Sequence, residues 1–386
     1  MHIAHVVSTF WPRFGGMGQV CYEEVKRLAA RGHQVSVFTL QYPALPGQTS
    51  ETVLPGVPEK EIKDGFTIER LNPLIKFGDA GITPVLSSKL KGFDLVHLHY
   101  PFYGGAEWVL PAVGKNGAKL VITYHMDAAP SGCLKKCFQK IYDLIFPKLI
   151  FKAAKKVIGV DEEYLAAADF YKSVKDKSII LSNGVETDIF KPQPADLPAL
   201  SLERLAGKKI ILFVGNLMPI KRLDLLIEAL NILNDPDLAL VVVGGGYDEE
   251  RYRKMLVESK LEDRVVFAGH CAEAKRLAMY YNAADCLAVP SDTESFSLAA
   301  VYALSSAVPV IASDIPGLKG RVSDGVDGFL VKKGSAENLA DTLKKFFALS
   351  PEQRKQMGER GREKALVNYT WNQHMEKLEE IYKQII

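Results

Sequence analysis

The sequence has few of the features that mark secreted, membrane-spanning or nucleic-acid-binding proteins. Only five of its 386 residues are cysteine, and an odd number of scattered cysteines favours a reducing compartment over a disulfide-stapled secreted fold. No apolar run approaches the ~20 residues that a membrane-spanning helix needs. The formal net charge is +2, so the chain lacks the basic excess expected of a general nucleic-acid binder. These absences favour a cytoplasmic globular protein.

Signals for secretion and for a metal site are also missing. The first residues, Met1 to Val7, have the pattern of a buried strand and no basic region before it, which argues against a signal peptide. No cysteine or histidine cluster completes a zinc site around Cys133 and Cys137. The segment from Asp235 to Asp237 imitates a metal-binding Asp-x-Asp motif, but it falls where a helix-to-strand turn is due. We therefore predict no metal.

Short β-rich runs alternate with helical patterns along the whole chain. This alternation predicts parallel sheets with crossover helices, and 386 residues are too many for one ordinary core. We predict two doubly wound, Rossmann-like α/β domains, residues 1–188 completed by a last helix at 371–386, and residues 189–370. Ligands of such sheets bind beyond the carboxyl ends of the strands, so two facing domains would form a cleft site. The aperiodic stretch 41–63 is predicted to be a long loop.

Two strand ends carry residues suited to an anionic ligand. Gly15 and Gly16 follow the first strand and open a helix, where the backbone can approach an anion closely. Their spacing, and the lack of an acidic residue after the second strand, do not match a dinucleotide-binding fingerprint. Lys221 and Arg222 precede another helix, where two cations would suit a diphosphate. A solvated Lys-Arg pair is an equal alternative.

A third strand end contains Glu294. We expect a helix to begin near Phe296, which would leave the amides of Phe296, Ser297 and Leu298 as free donors for a phosphate. A carboxylate beside such a turn would be repelled by phosphate, and it is better suited to accept hydrogen bonds from sugar hydroxyls. The alternative is that Glu294 only supports the helix N-terminus.

The ordered set of motifs resembles the retaining GT-B glycosyltransferases of the sucrose-synthase and mannosyltransferase-like family, glycosyltransferase family four, group 1. The resemblance covers nearly the full length. The matching segments are Gly15-Gly16, Thr123 to His125, Asn183 to Pro192, Val214 to Arg222, Val243 to Gly246, Tyr281 to Ser291, Glu294 to Ser297, Val308 to Ser313 and Tyr369 to Trp371.

The resemblance implies a hexosyltransferase that moves a sugar from a UDP- or GDP-sugar to a saccharide or lipid-linked acceptor, in surface polysaccharide or glycolipid synthesis. The reaction would be retaining and metal-independent, with no cofactor besides the nucleotide-sugar substrate. The family's catalytic roles fall on His125, which would contact the sugar near the reacting carbon, and on Glu294. Predicted phosphate- or sugar-binding residues are Gly15, Gly16, Asn216, Lys221, Arg222, Ser295, Phe296, Ser297 and Leu298, and predicted nucleoside-binding residues are Gly244, His270 and Tyr302.

Three positions depart from the family pattern. Tyr302 stands where a ribose-binding Glu is usual, Asn216 where an Arg is common, and Gly320 where a Glu often follows the Pro316 turn. A tyrosine hydroxyl cannot offer the two acceptor oxygens of a carboxylate. These changes leave open a degenerate transferase that binds a nucleotide sugar or a partner without efficient turnover. A sugar-nucleotide epimerase, which shares the fold, is a further alternative.

Two features concern the acceptor side. His97 and His99 share one face of a strand at period two, and His99 is predicted to contact the acceptor, with a structural histidine as an equal alternative. Residues 134–156 carry seven lysines against one acid among many apolar residues. They could contact anionic lipid at a membrane surface. The interpretation we favour is a helix whose apolar face packs into the first domain while its lysines stay solvated.

Overall fold

The computed structural model describes residues 1–12, 15–41, 57–114, 117–126 and 133–386. The chain divides into two compact units. The first consists of Met1–Leu181 with His374–Ile386, and the second of Ser182–Gln373. The predicted boundaries, at 188/189 and 370/371, lie a few residues from these divisions. No helix among the described residues is long and apolar enough to cross a membrane.

The first unit is an α/β sandwich around one large sheet. Its strands are β1 (His2–Val6), β2 (Gln34–Leu40), β3 (Lys60–Lys63), β4 (Phe66–Leu71), β5 (Ile75–Phe77), β6 (Ala80–Ile82), β7 (Leu95–Tyr100), β8 (Lys119–Tyr124), β9 (Lys156–Gly159) and β10 (Ser178–Ile180). Its helices are α1 (Gly16–Ala30), α2 (Leu86–Lys89), α3 (Cys133–Ala153) and α4 (Glu162–Ala166). Eight strands form the sheet in the order β10-β9-β8-β7-β1-β2-β4-β3, and β5 and β6 pair separately. All neighbours in the large sheet are parallel except β3 and β4.

The second unit repeats this architecture with a smaller sheet. Its strands are β11 (Lys209–Val214), β12 (Leu238–Val243), β13 (Val265–Gly269), β14 (Cys286–Val289), β15 (Val310–Ser313) and β16 (Gly328–Val331). They are all parallel, in the order β13-β12-β11-β14-β15-β16. The helices are α5 (Leu223–Leu233), α6 (Glu249–Ser259), α7 (Ala274–Asn282), α8 (Leu298–Ser305), α9 (Ala336–Ala348) and α10 (Pro351–Asn368). The predicted pair of doubly wound α/β sheets is confirmed.

The last helix, α11 (Trp371–Lys383), supplies apolar side chains to the first unit. Met375, Leu378, Ile381 and Tyr382 pack with residues of β1 and α1 in one buried cluster. The helix therefore fills part of a core that begins at the other end of the chain.

The end of the predicted long loop is a strand. Residues 42–56 lie outside the described residues, but Lys60–Lys63 forms β3, antiparallel to β4. Asp64 and Gly65 join the two strands with φ values of 47° and 84°. Asp-Gly is typical of a two-residue hairpin turn that needs positive φ at both positions, so the loop prediction was wrong for these residues.

Helix α3 exposes the apolar stripe that was expected to pack inward. The exposed fractions of Ile141, Leu144, Ile145 and Leu149 are 60%, 69%, 48% and 51%. These positions lie on one face of a helix because they recur at spacings of three and four. Ile150, on the opposite face, and Tyr142 and Phe151, at the two edges of the exposed face, are buried. Burial of the whole apolar face was therefore the wrong interpretation for this part of 134–156.

Candidate functional site

An ion pair joins the loops that follow β11 and β14 in the second unit. Lys221 Nζ donates to Glu294 Oε1 at 2.6 Å, and Ser291 Oγ donates to the same oxygen at 3.0 Å. The side chains of Lys221 and Glu294 are 26% and 11% exposed. Both hydrogen bonds end on Oε1, so Glu294 Oε2 accepts none from the described residues. The pair therefore offers a ligand one carboxylate oxygen and a partly shielded cation.

Helix α8 begins beside this pair, at Leu298 rather than near Phe296 as predicted. Its N-cap is Ser297, which has a φ of 63° and whose side chain accepts a hydrogen bond from the Ala300 amide at 3.4 Å. The amides of Phe296, Ser297 and Leu298 make no hydrogen bond within the described part of the chain. They form the set of free donors that an anion site at a helix N-terminus requires. Ser295, in the same turn, is half-buried.

The side chain of Phe296 points into the core of the second unit. It is 3% exposed, and its ring lies edge-on to Tyr369 with the centroids 5.9 Å apart. The guanidinium of Arg321 lies 4.2 Å from the Phe296 ring centroid. The ring of Phe296 is therefore used for core packing, and its amide, predicted to be a free donor, is the part available to a ligand.

Glycine backbones hold the loops of the second unit against one another. A Cβ on Gly317, whose φ is 82°, would lie 2.2 Å from the carbonyl oxygen of Glu294. A Cβ on Gly244 would lie 1.9 Å from the carbonyl oxygen of Gly215, and one on Gly246 would lie 2.4 Å from that of Leu217. Loop packing alone therefore accounts for glycine at Gly244, and its predicted contact with the nucleoside stays a prediction.

Arg222 is held by two carboxylates. Its Nη2 donates to Asp224 Oδ2 at 3.0 Å and its Nη1 donates to Asp292 Oδ1 at 3.2 Å. Hydrogen bonding to Asp224 is the main cause that raises the pKa of Arg222. The guanidinium thus joins the loop after β11 to the loop after β14, and it would have to leave these partners to bind a phosphate.

The other predicted residues of the second unit lie at its surface or in an aromatic cluster. Asn216 is exposed just after β11, and His270 is exposed just after β13. The Tyr302 ring is stacked on Phe190, with centroids 4.1 Å apart and an interplanar angle of 3°. Tyr281 lies edge-on to both rings. The position at which the family has a ribose-binding acid is therefore used for aromatic packing.

Gly15 and Gly16 lie at the N-terminus of α1 in the first unit. Gly15 is the N-cap, and a Cβ on Gly16 would meet nothing within 4 Å. A Cβ on Gly18 would instead lie 2.6 Å from the Thr9 carbonyl oxygen. Gly18 is therefore required for the packing of α1 and not for a ligand. Arg13 and Phe14 of the same turn lie outside the described residues.

A row of hydrogen-bonded histidines runs through the first unit. His99 Nδ1 is 2.9 Å from His125 Nε2, and His99 Nε2 is 2.9 Å from His5 Nδ1. His99 is fully buried and His125 is 5% exposed. His99 therefore supports His125 in this conformation and does not reach an acceptor, which corrects the prediction that it does. His97, on the same strand, is fully buried too.

Burial keeps these histidines neutral. It lowers the pKa of His5, His97 and His99 well below the ordinary value, and it lowers the pKa of His125 to about 3. The carboxyl of Glu24 lies among them, and burial raises its pKa. A neutral His125 can donate one hydrogen bond and accept another, but it carries no positive charge at neutral pH.

The sequence prediction missed His5, Glu24, Ser291 and Asp292. The register of the sheet pairs His5 directly with His97. In doubly wound sheets the first strand is central, so a histidine in β1 and two more in a neighbouring strand are a pattern that could have been found. Ser291 and Asp292 carry no such pattern, because their contacts depend on how the loops pack.

The close contact at Gly317 gives a stability prediction. Gly317→Ala should destabilise the second unit by ~1–3 kcal/mol, because the turn that carries Glu294 must move to make room for the new Cβ. Gly325→Ala is the matched control, since Gly325 has a φ of 72° with nothing within 4 Å of its Cβ position. Thermal unfolding of both variants measures the difference. Equal losses of stability would contradict a role for the contact.

The lowered pKa of His125 gives a pH prediction. Between about pH 6.5 and 3 the unfolded chain binds a proton at this residue and the folded chain does not, so the free energy of unfolding should fall by ~1.4 kcal/mol per pH unit of acidification. His5, His97 and His99 act in the same direction. The raised pKa of Glu24 acts oppositely, because the folded chain then holds a proton that the unfolded chain has released.

Urea unfolding at several pH values between 5 and 7.5 would measure this dependence through Trp11 and Trp108, which lie in the first unit. His125→Asn should reduce the slope by ~1.4 kcal/mol per pH unit. His270→Asn, which replaces an exposed histidine, is the control variant. An identical pH dependence of the free energy of unfolding in wild type and His125→Asn would refute the lowered pKa of His125.

Comparisons with known proteins agree with this geometry. Residues 14–189 match the family model described as Glycosyltransferase Family 4, and residues 201–364 match the one described as Glycosyl transferases group 1. A D-inositol 3-phosphate glycosyltransferase of Corynebacterium aurimucosum is 28% identical over 95% of this chain and 90% of its own. The same enzyme of Saccharomonospora viridis is 29% identical over 96% and 89% of the two chains.

Solved structures have the same fold. Sucrose-phosphate synthase from Thermosynechococcus elongatus superimposes with a TM-score of 0.81 at 24% identity, over 99% of this chain and 98% of that one. Anabaena HepE, in complex with UDP-glucose, gives a TM-score of 0.78 at 19% identity over the full length of both chains. With the two family models spanning most of the sequence, the chain belongs to the group 1, family 4 glycosyltransferases of GT-B fold, and it is a hexosyltransferase-type enzyme.

Proposed function

We propose that this enzyme transfers a sugar, with retention and without a metal in the reaction, from a UDP- or GDP-sugar to a saccharide or lipid-linked acceptor. Its place would be in surface polysaccharide or glycolipid synthesis. The observation that carries the proposal is the Lys221–Glu294 pair beside the free amides that start α8. Lys221 from the loop after β11, with Glu294 and three unpaired amides from the loop after β14, matches the parts of a sugar diphosphate.

Each part of the turn fits one part of the donor. The amides of Phe296, Ser297 and Leu298 and the ammonium of Lys221 would bind the diphosphate, whose negative charge grows as the sugar leaves. Glu294 Oε2 would accept hydrogen bonds from sugar hydroxyls. The Lys221 ammonium, already 2.6 Å from Glu294, would lie between carboxylate and phosphate and reduce their repulsion.

His125 would contact the sugar as a neutral ring. Its pKa of about 3 makes proton donation from an imidazolium ineffective at neutral pH. The hydrogen bond between His99 Nδ1 and His125 Nε2 fixes the orientation of the ring. Its role would be positioning, which agrees with a mechanism in which the leaving phosphate oxygen helps to deprotonate the acceptor.

The named relatives support a nucleotide-sugar donor. HepE has been crystallised with UDP and with UDP-glucose, and the curated relatives are named for a D-inositol 3-phosphate acceptor. We propose that the present chain uses a donor of the UDP-glucose kind, and D-inositol 3-phosphate belongs in the acceptor panel beside saccharides and lipid-linked sugars.

The exposed face of α3 supports peripheral contact with a membrane. Ile141, Leu144, Ile145 and Leu149 expose about half of their surface or more. Exposed lysines lie on the same helix, at Lys140, Lys148 and Lys152. Apolar side chains between cations are the pattern of a helix that lies in the interface of an anionic bilayer. We propose that anionic lipid covers this face and brings the enzyme to a lipid-linked acceptor.

Substitutions in the donor turn should abolish transfer without unfolding the chain. We expect Lys221→Ala and Glu294→Gln each to reduce the transfer rate by ~10²–10³-fold, as loss of one group that stabilises the departing charge does elsewhere. The measurement is product formation with a panel of UDP- and GDP-sugars, with and without EDTA, which should not change the rate. Lys254→Ala is the control, because Lys254 pairs with Glu250 on an exposed face of the same unit.

Calorimetric titration of the same donors separates catalysis from binding. Tight binding of a donor by the wild-type chain, without transfer or donor hydrolysis, would favour the degenerate alternative. Conversion of the donor to an epimer in the absence of acceptor would favour the epimerase. Full transfer activity in folded Lys221→Ala or Glu294→Gln would contradict the assignment of the site.

The α3 surface predicts binding to anionic vesicles. Wild-type protein should sediment with vesicles of phosphatidylcholine and phosphatidylglycerol, and less so at high salt. Leu144→Asp should weaken this binding at least ~10-fold, because it removes ~1.5–3 kcal/mol of apolar burial and adds a repelled charge. Ile232→Asp, which changes an exposed isoleucine of α5 in the second unit, should not. Equal sedimentation of the two variants would refute the proposal that the exposed face of α3 binds anionic lipid.

A further inference from the structure

Four buried side chains of the first unit converge on one point. They are His5 of β1, Glu24 of α1, and His97 and His99 of β7, and each is at most 1% exposed. Each offers a ligand atom, and these atoms all lie within 4.8 Å of one another. We propose that His5, Glu24, His97 and His99 bind one divalent transition-metal ion, for which zinc is the best match.

The distances suit a tetrahedral ion. Glu24 Oε2 is 3.6 Å from His99 Nε2, 3.7 Å from His97 Nδ1 and 3.9 Å from His5 Nδ1. His5 Nδ1 and His99 Nε2 are 2.9 Å apart. Ligands that bind zinc at ~2.0–2.1 Å in a tetrahedron are separated by ~3.3–3.4 Å. The four measured separations lie on both sides of this value, and the whole set of ligand atoms extends to 4.8 Å, so the side chains would have to move toward one another, by up to about 1 Å, to close on an ion.

The outer contacts match those of metal ligands. In metal sites the second nitrogen of each histidine is hydrogen-bonded, which fixes the ring and its tautomer. Here the second nitrogen of each histidine has a hydrogen-bonding partner: His97 Nε2 is 2.7 Å from Thr123 Oγ1, His99 Nδ1 is 2.9 Å from His125 Nε2, and His5 Nε2 is 3.5 Å from Tyr382 Oη. The second oxygen of Glu24, Oε1, is likewise 3.0 Å from His374 Nε2.

The remaining oxygen of Glu24 is a further observation in favour of the proposed ion. Glu24 Oε2 is buried and makes no hydrogen bond among the described residues, although it faces three imidazole nitrogens. A buried side-chain oxygen without a hydrogen-bond partner calls for an ion or another partner. A cation at the centre of the cluster would give this oxygen its partner. The ion would use the His97 Nδ1 lone pair that now faces Tyr382 Oη at 2.6 Å, so metal binding requires this hydroxyl to move away from that nitrogen.

The donor set selects the kind of metal. Three imidazole nitrogens and one carboxylate oxygen suit zinc, cobalt or nickel, whereas calcium and magnesium prefer oxygen ligands. The four ligands fill a tetrahedron and leave no open position, as in structural zinc sites. Because the site is closed, the ion would bind while the first unit folds. It would take no part in sugar transfer, and it would act on His125 only by placing the His99 proton on Nδ1.

Metal analysis of the full-length chain tests the site directly. Protein refolded from denaturant with zinc, then desalted, should contain about one zinc per chain, and its unfolding midpoint should exceed that of protein refolded with EDTA. Refolding with cobalt should give the intense visible absorption of a tetrahedral cobalt ion. A folded, homogeneous wild-type protein that retains none of zinc, cobalt or nickel, with an unchanged midpoint, would overturn the proposal.

Variants assign the metal to these residues. Glu24→Gln and His97→Gln should each weaken binding at least ~10–100-fold, while His33→Gln, at a surface pair with Glu379, should keep one equivalent. Folded Glu24→Gln and His97→Gln that both retain a full equivalent would exclude the cluster as the site. Should neither variant fold, the cobalt spectrum of the wild-type chain decides: a tetrahedral spectrum without the near-ultraviolet charge-transfer band of a thiolate ligand supports the His/Glu cluster, whereas that band would assign the metal to cysteines and overturn the proposal.

Discussion

The donor turn of the second unit depends on contact between backbones at the carboxyl edge of the sheet. Parallel strands bring their loops to this edge, where Gly317 lies against the Glu294 carbonyl and Gly244 against the Gly215 carbonyl. Any side chain at these glycines would push the loops apart. The contacts set where Glu294 and Lys221 stand, and the 2.6 Å ion pair between them follows from that placement. The packing of these loops therefore requires glycine at Gly317 and Gly244, and any contact with a ligand would be an additional role of the same loops.

The first unit fills the equivalent region with polar side chains instead. His5, His97 and His99 lie on adjacent central strands; His5 hydrogen-bonds to His99, and His97 hydrogen-bonds to Thr123 and Tyr382. Burial makes them neutral, and the hydrogen bond between His99 Nδ1 and His125 Nε2 joins the catalytic candidate His125, which is neutral too, to an uncharged partner. Under the proposed function, Lys221 of the second unit would supply positive charge, and His125 of the first unit would supply an uncharged ring.

The alternation of apolar patterns was enough to predict two doubly wound sheets and the helices between them, because period and length distinguish strand from helix here. The contact of Lys221 with Glu294 was not predictable from spacing, since it depends on β11 and β14 being neighbours. The two-residue spacing of His97 and His99 predicted that they share one face of a strand, but it did not show that this face is buried. For α3, the amphipathic pattern gave a helix but not which surface covers its stripe. Each miss concerns tertiary placement.

The packing of Tyr302 explains one of the departures from the family pattern. Its ring is stacked on Phe190, and the backbone around that residue is held by Ser305 Oγ, which donates to the Phe190 carbonyl at 2.6 Å. A glutamate at this position would leave Phe190 without its stacking partner, so the change fits the packing of α8 and is not an isolated loss. The diphosphate part of the turn lies at the other end of α8 and keeps its cation and amides. Under the proposed function, recognition of the donor would depend more on phosphate and sugar than on ribose.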